Sequence, residues 1–231
     1  GKPLLDINGK TMIQRTWEQT KKSKILKDIY IVTDDNMIEN HCKKIGANVL
    51  MVKQECLNGT ERICHALKQI NDKYEIIVNV QGDQPFLDPL LLKNMVDFCF
   101  SSNTIPLLTT PIYKLERKEI HNPNVVKTLI NKKNQAIYFS RSAIPHIRGV
   151  DPEDWHKHNT YYGHVGIYGY RADILLKWFD LDSSNLENCE KLEQLKLIDS
   201  GYKYETFLTN SHCLSIDTEK QFLEAQRRIK S

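Results

Sequence analysis

The chain has 231 residues, with 32 Lys and Arg against 29 Asp and Glu and a net charge of +3 at pH 7. A charge balance that close to zero excludes nucleic-acid binding driven by bulk charge. A hydrophobic content of 40% is enough to build a core in a chain of this size without disulfide or metal staples, which excludes disordered and collagen-like classes and fits one domain, or one domain with a substantial insertion.

Taken in chain order, apolar β-branched runs alternate with helix-like stretches in the first half, the pattern of an α/β domain with a mainly parallel central sheet. Ile29 to Thr33 reads as a strand running into Asp34-Asp35. Asp35 to Ile45 follows as a helix closed by Gly46, then Ala47 to Val52 as a second strand. Asn58-Gly59-Thr60-Glu61-Arg62 opens another helix. Ile76 to Val80 is a strand that ends at Gln81-Gly82-Asp83-Gln84-Pro85. In the middle, Val125 to Ile130 and Gln135 to Phe139 flank the four residues 131–134, the spacing of a hairpin, so antiparallel pairing is expected there. His146 to Tyr162 is polar and aromatic and reads as a long surface loop. Gly163 to Tyr170 resumes as one strand, and Asn185 caps a helix from about Leu186 to Ser200 ended by Gly201. Cys213 to Ile216 alternates like a short strand, and Thr218 with Gln221 forms a capping box opening the last helix.

No apolar run approaches the ~18 residues needed to span a bilayer, and the start is too short and too quickly polar for a signal peptide. Cys42, Cys56, Cys64, Cys99, Cys189 and Cys213 are scattered without a Cys-x-x-Cys pair, which points to reduced thiols in a cytoplasmic protein.

Acids beyond the carboxyl ends of α/β strands are the first candidates for chemistry, because ligands bind there. Asp83 is one. Gly82 before it permits close approach and Pro85 stops the strand, so its carboxylate is either a rigid magnesium ligand or an ordinary turn acid. Asp217 falls at another strand-to-helix junction, where an acid also serves the helix dipole. Lys2, between Gly1 and Pro3, either reaches a phosphate or is a solvated terminal lysine. The Asn58 to Arg62 segment is either a helix cap or a seat for an anion or a base edge. In a strand His164, Tyr168 and Tyr170 share one face, forming a pocket wall or an exposed polar face. Leu186, Cys189, Leu192 and Leu195 make a helical stripe with Glu193 at its edge, where a half-buried carboxylate serves a salt bridge or accepts ligand hydroxyls. His156 and His158 have no third ligand at a recognisable spacing and are read as solvated.

The ordered set Gly1-Lys2-Pro3-Leu4, Asn58 to Arg62, Val78 to Asp83, Asn122-Pro123-Asn124, Tyr138-Phe139-Ser140-Arg141, Gly166 to Arg171, Leu192-Glu193-Gln194-Leu195 and Asp217-Thr218 resembles the 3-deoxy-manno-octulosonate cytidylyltransferases, or CMP-Kdo synthetases, over nearly the whole chain. The resemblance implies a Rossmann-like nucleotidyltransferase fold. It implies transfer of CMP from CTP to 3-deoxy-manno-octulosonate (Kdo) with release of diphosphate, Mg²⁺ as cofactor, and a homodimer built through the middle segment. By the same resemblance, Asp83 and Asp217 hold the metal and Lys2 contacts the triphosphate. Gly59, Arg62 and Gln81 lie near CTP, and Gln81, Arg141, His164, Tyr168, Glu193 and Gln194 form the Kdo pocket. Arg141 suits the sugar carboxylate because its planar fork pairs with it bidentately.

The resemblance further implies a division of labour, with about 1–107 and 201–231 serving nucleotide and metal, and 108–200 serving the sugar and dimerisation. Family members carry a strand and an arginine-bearing loop before Gly-Lys-Pro, so the expectation is a sheet whose first strand is missing from this sequence. Transfer to a related acid sugar, such as 8-amino-Kdo or a sialic acid, and an inactive truncated binding homologue are the competing readings.

Overall fold

A computed structural model describes residues 2–101, 103–210, 216 and 219–230. The alternating run 213–215, Asp217 and the Thr218 cap lie outside them. The chain divides into two compact units, Gly1–Tyr74 with Asn79–Asp97 and Ser211–Ser231, and Glu75–Val78 with Phe98–Asn210.

The first unit is built on the predicted strand-helix-strand. Tyr30–Thr33 pairs in parallel with Asn48–Met51, Tyr30 opposite Asn48 and Thr33 opposite Met51. Between them runs the helix Asn36–Lys44, where the Asp35 side chain accepts from the Met37 and Ile38 amides. Gly46, at φ +79°, takes the left-handed conformation that turns the chain back into the second strand. Ile31, Ile38, Cys42 and Ala47 close this layer, with Ile13 and Trp17 of the helix Met12–Lys22 packed on them. A second cluster joins Ile7, Met12, Ile216 and Ala225, fastening the helix Glu219–Lys230 to the unit. Each such side chain withdrawn from water stabilises by about 1.5–3 kcal/mol.

The second unit carries a seven-stranded sheet in the spatial order Tyr204–Leu208, Gln135–Ser140, Lys127–Ile130, Tyr162–His164, Leu108–Lys114, Ile167–Arg171, Ile76–Val80. The α/β class stands, but the mainly parallel sheet does not. Among the pairings with a described register, parallel strands occur only at Tyr30–Thr33 with Asn48–Met51 and at Tyr204–Leu208 with Leu108–Lys114, and the remaining ones in the large sheet run antiparallel. Apolar runs report burial of both faces, not strand direction. Direction follows from the connections, and the four-residue link 131–134 between Lys127–Ile130 and Gln135–Ser140 is too short for a crossover. The hairpin is as expected: Asn131 donates its amide to the Gln135 carbonyl at 2.9 Å, and Asn134 turns at φ +58°.

Three other expectations are corrected. Gly163 to Tyr170 is two strands, Tyr162–His164 and Ile167–Arg171, because the Ile167 amide bonds the Val165 carbonyl at 2.6 Å and breaks the ladder. Leu186 to Ser200 is two short helices, Asn185–Glu190 and Leu195–Asp199, capped at Ser184 rather than Asn185 and interrupted where Lys191 takes a left-handed conformation at φ +54°. The three-residue stripe is therefore split, with Leu192 and Leu195 buried and Cys189 exposed. The segment 146–162 is not all surface, since Trp155 is buried with Ile120 and Tyr161 and its indole nitrogen donates to the Val150 carbonyl.

Candidate functional site

From Asn79 onward the chain belongs to the first unit, and Gln81, Gly82 and Asp83 follow there on a backbone fixed at two successive carbonyls. Thr16 donates its hydroxyl to Gly82 O at 3.1 Å, and Ile216 donates its amide to Asp83 O at 3.1 Å. A Cβ at position 82 would stand 3.2 Å from Ile13 Cδ1, so a larger residue there would push the Ile13 side chain of the helix Met12–Lys22 back by a few tenths of an ångström. The Asp83 carboxylate is 28% exposed and its Oδ2 lies 3.4 Å from Lys2 Nζ, itself 43% exposed. A solvated pair at that distance contributes at most about 1 kcal/mol, so an incoming phosphate or cation exchanges with it at little cost.

Beside this turn, buried Asn79 donates its side-chain amide to Thr60 Oγ1 at 3.2 Å, tying the strand to the first turn of the helix Gly59–Leu67. Asn58 caps that helix by accepting from the Glu61 amide at 2.9 Å, and the Glu61 carboxylate accepts from the Leu57 amide at 2.6 Å. The segment is thus a true helix cap, with Gly59 presenting bare backbone at its N-terminus. Arg62 is directed away from a ligand role in part: its Nη1 lies 2.9 Å from Asp34 Oδ2 and 3.4 Å from the Val52 carbonyl. Asp34, which directly follows the strand Tyr30–Thr33, is not among the candidates the sequence offers. Gln81 is half-buried.

A hard carboxylate oxygen on a rigid turn suits Mg²⁺, which takes one or two carboxylates and fills its remaining positions with phosphate oxygens and water. Among the described residues no three His, Cys, Asp or Glu side chains gather to hold a metal by themselves. Asp83 fits as one ligand of such a partly filled shell. Asp217 lies outside the described residues. The residue preceding it in sequence, Ile216, is the one bonded to the Asp83 backbone.

In the second unit, His164, Tyr168 and Tyr170 are brought together despite the break between their strands. The His164 ring is 5.2 Å from that of Tyr168, which stacks on Tyr170 at 5.9 Å. Tyr168 and Tyr170 are buried, so this is not an exposed polar face. Phe139 edges against His164 at 5.0 Å and against Tyr204 at 5.7 Å.

His164 Nε2 lies 3.0 Å from Thr110 Oγ1, and Thr110 donates its own proton to the Ile167 carbonyl at 2.9 Å. The hydroxyl therefore accepts from an Nε2–H, which leaves Nδ1 as the acceptor. Burial pushes the ring down to about 3, so it stays neutral at physiological pH. Tyr168 donates to Gln194 Oε1 at 3.0 Å, and its phenol is held well above the usual range by burial, with the nearby Glu193 and Tyr204 adding to it. Gln194 is 1% exposed, and its Nε2 has no partner among the described residues. A buried donor left unmet costs about 1–3 kcal/mol, a demand that a ligand oxygen satisfies. Glu193, beside it, is half-buried, but it lies between the two short helices and not on the helical face from which that burial was expected.

Arg141 follows the strand Gln135–Ser140 and is oriented by backbone. Its Nε donates to the Glu190 carbonyl at 2.8 Å and its Nη1 to the Pro123 carbonyl at 3.3 Å. The Glu190 carboxylate is occupied elsewhere, accepting the Ser140 hydroxyl at 2.6 Å and the Arg141 amide at 2.9 Å. Among the described residues no carboxylate lies within ion-pair distance of the guanidinium, so its charge is directed but not neutralised. Glu190 carried no signal in the sequence, because its role depends on the helix break at Lys191. His158 is exposed and His156 half-buried, away from any metal grouping among the described residues.

The chain belongs to the cytidylyltransferase family, whose sequence pattern matches residues 1–207. Within that class it is similar to the 3-deoxy-manno-octulosonate cytidylyltransferase of Parabacteroides distasonis, 41% identical over 97% of this chain and 90% of the relative. It is 40% identical to the enzyme of the same name from Bacteroides thetaiotaomicron, over 100% and 92% of the two chains. Among solved structures it matches CMP:2-keto-3-deoxy-manno-octonic acid synthetase complexed with CTP, with a TM-score of 0.89 and 30% identity, covering all of this chain and 92% of the other.

Proposed function

We propose that this enzyme transfers CMP from CTP to Kdo, releasing diphosphate and supplying CMP-Kdo for lipopolysaccharide or Kdo-containing polysaccharide. The observation that carries the sugar assignment is the un-neutralised Arg141 guanidinium, aimed by two backbone carbonyls in the unit that also holds the unmet Gln194 donor. A planar fork fixed in this way recognises a carboxylate, and the Gln194 amide and the His164 imidazole of the same unit recognise hydroxyls. The names of the relatives support the same reading.

In the reaction, the anomeric hydroxyl of Kdo attacks the α-phosphorus of CTP and gives up its proton to water, the new P–O bond forms, and the bond to the β-phosphate oxygen breaks to release diphosphate. Two anions must meet, so positive charge has to offset their repulsion and the charge that develops on the leaving diphosphate. Lys2 provides one such cation, and the helix N-terminus at Gly59 provides bare amides. Asp83, with Asp217, would hold Mg²⁺, which when bound compensates triphosphate charge. Arg141 binds the sugar carboxylate, while His164, Tyr168, Glu193 and Gln194 orient the hydroxyls. Gln81 serves the nucleotide and the sugar, and Arg62 becomes a nucleotide contact by exchanging Asp34 for phosphate. We assign the working form to a cytoplasmic homodimer. Among the described residues no helix is long and apolar enough to cross a membrane.

The test is a comparison of kcat/KM for Kdo, 8-amino-Kdo and a sialic acid with CTP and Mg²⁺. Kdo is expected to lead. Preference for another acid sugar, or absence of turnover with all three, overturns the assignment.

A further inference from the structure

Lys127 is fully buried in the middle of the second unit's sheet, opposite Ser140 on one neighbouring strand and Gly163 on the other. An ammonium group in such a place is unfavourable unless hydrogen bonds hold it, and a position needed only for packing is better filled by Leu or Met. Its Nζ donates to the Asn122 carbonyl at 2.8 Å and to the Arg141 carbonyl. Those two carbonyls bracket one residue. Arg141 is gripped through its own main chain, while Asn122 begins the turn whose next carbonyl, that of Pro123, receives the Arg141 guanidinium.

Glu190 completes the knot from the helix Asn185–Glu190, with its carboxylate on the Arg141 amide and its carbonyl on Arg141 Nε. The residue before Lys127 contributes as well, since the Val126 carbonyl accepts the His164 amide at 2.9 Å. Burial lowers the ammonium to about 8, with Glu190 opposing that shift and Arg141 adding to it, so the group is still mainly charged at neutral pH.

We propose that Lys127 is a positioning residue for acid-sugar binding: by clamping the Asn122 and Arg141 carbonyls it fixes the direction in which the Arg141 guanidinium meets the substrate carboxylate. The inference rests on the Kdo reading above and adds a residue that touches no substrate atom. It predicts a selective defect, because only the sugar's anchor is displaced.

The experiment is a double-mutant cycle in the full chain with Lys127→Met and Arg141→Met, measuring KM for Kdo, KM for CTP and kcat. Lys127→Met alone is expected to raise KM for Kdo by roughly tenfold, the scale of a misplaced positioning group, with KM for CTP within about twofold. Added to Arg141→Met it is expected to change KM for Kdo by less than about twofold, since residues acting as a unit are non-additive. Equal rises for both substrates, or additive effects in the cycle, overturn the proposal. Lys127→Gln, which keeps one donor, serves if the methionine variant does not fold, with an intermediate Kdo KM expected. Failure of both to fold also overturns the proposal, by making the lysine part of the framework alone. A wild-type chain with no Kdo-dependent turnover would instead sink the Kdo reading.

Discussion

The two units hold their candidate residues by different means. In the first, the backbone is fixed and the charged side chains stay partly exposed. The Gly82 and Asp83 carbonyls are tied down, while the Lys2 and Asp83 side chains remain 43% and 28% exposed at 3.4 Å from one another. In the second, the side chains themselves are locked, with Tyr168 4% and Gln194 1% exposed in a hydrogen-bonded aromatic wall. The difference fits the proposed division of labour, triphosphate in the first unit and sugar in the second. A triphosphate is met by charge and bare amides, which exchange water with little reorganisation. A sugar must be distinguished by its hydroxyl pattern, and buried polar groups left unpaired by a wrong ligand make that discrimination severe.

Substitutions that break one side while sparing the other sharpen the comparison. The largest effect is expected from Asp83→Asn, which keeps shape but would weaken the proposed hold on Mg²⁺. Its kcat should fall about 100-fold or more with thermal unfolding little changed, as followed by diphosphate release and calorimetry. Arg141→Met should leave KM for CTP near the wild-type value while raising KM for Kdo about 10- to 100-fold, the range of a lost charged hydrogen bond of roughly 1.5–3 kcal/mol. Tyr168→Phe strands Gln194 Oε1 in a buried wall. It should cost about 1–3 kcal/mol in urea unfolding together with a several-fold rise in KM for Kdo.

The smallest effect concerns pH. Free imidazole titrates near 6.5, whereas burial holds His164 at about 3 in the folded chain. The unfolded chain therefore binds more protons between those values, and stability falls as pH drops from 6.5 toward 3, while the contribution is complete above 6.5. Urea unfolding at pH 7, 6 and 5 should show this slope, and His164→Asn should reduce it by at most about 1.4 kcal/mol per pH unit. KM for Kdo should show no inflection near 6.5 from this residue.

The first unit was largely legible in the sequence because its signals are local. Asp35, Gly46 and Asn58 act within a few residues of themselves, so caps and turn could be read directly. The second unit was not, because its order is non-local. The strand Leu108–Lys114, with Pro111 inside it, looks unlike a strand, yet it lies between Tyr162–His164 and Ile167–Arg171 and joins Tyr204–Leu208 in parallel. The stripe from Leu186 to Leu195 had helical spacing, but the left-handed turn at Lys191 divides it and so exposes the Glu190 carbonyl that aims Arg141. Lys127 gave no warning either, since a lysine in a strand pattern ordinarily faces water. Arg141 and Gln194 are candidates by resemblance alone, while His164, Tyr168 and Glu193 were also singled out by strand alternation and helical spacing; the geometry adds what orients Arg141, His164 and Tyr168.

The most direct test follows the phosphorus. CTP labelled at its α-phosphate, incubated with Kdo, Mg²⁺ and the wild-type chain, should yield the label in a CMP-Kdo phosphodiester with one diphosphate released per sugar consumed, as read by ³¹P NMR. Label left in CTP, or appearing as free CMP without a sugar conjugate, would contradict the account.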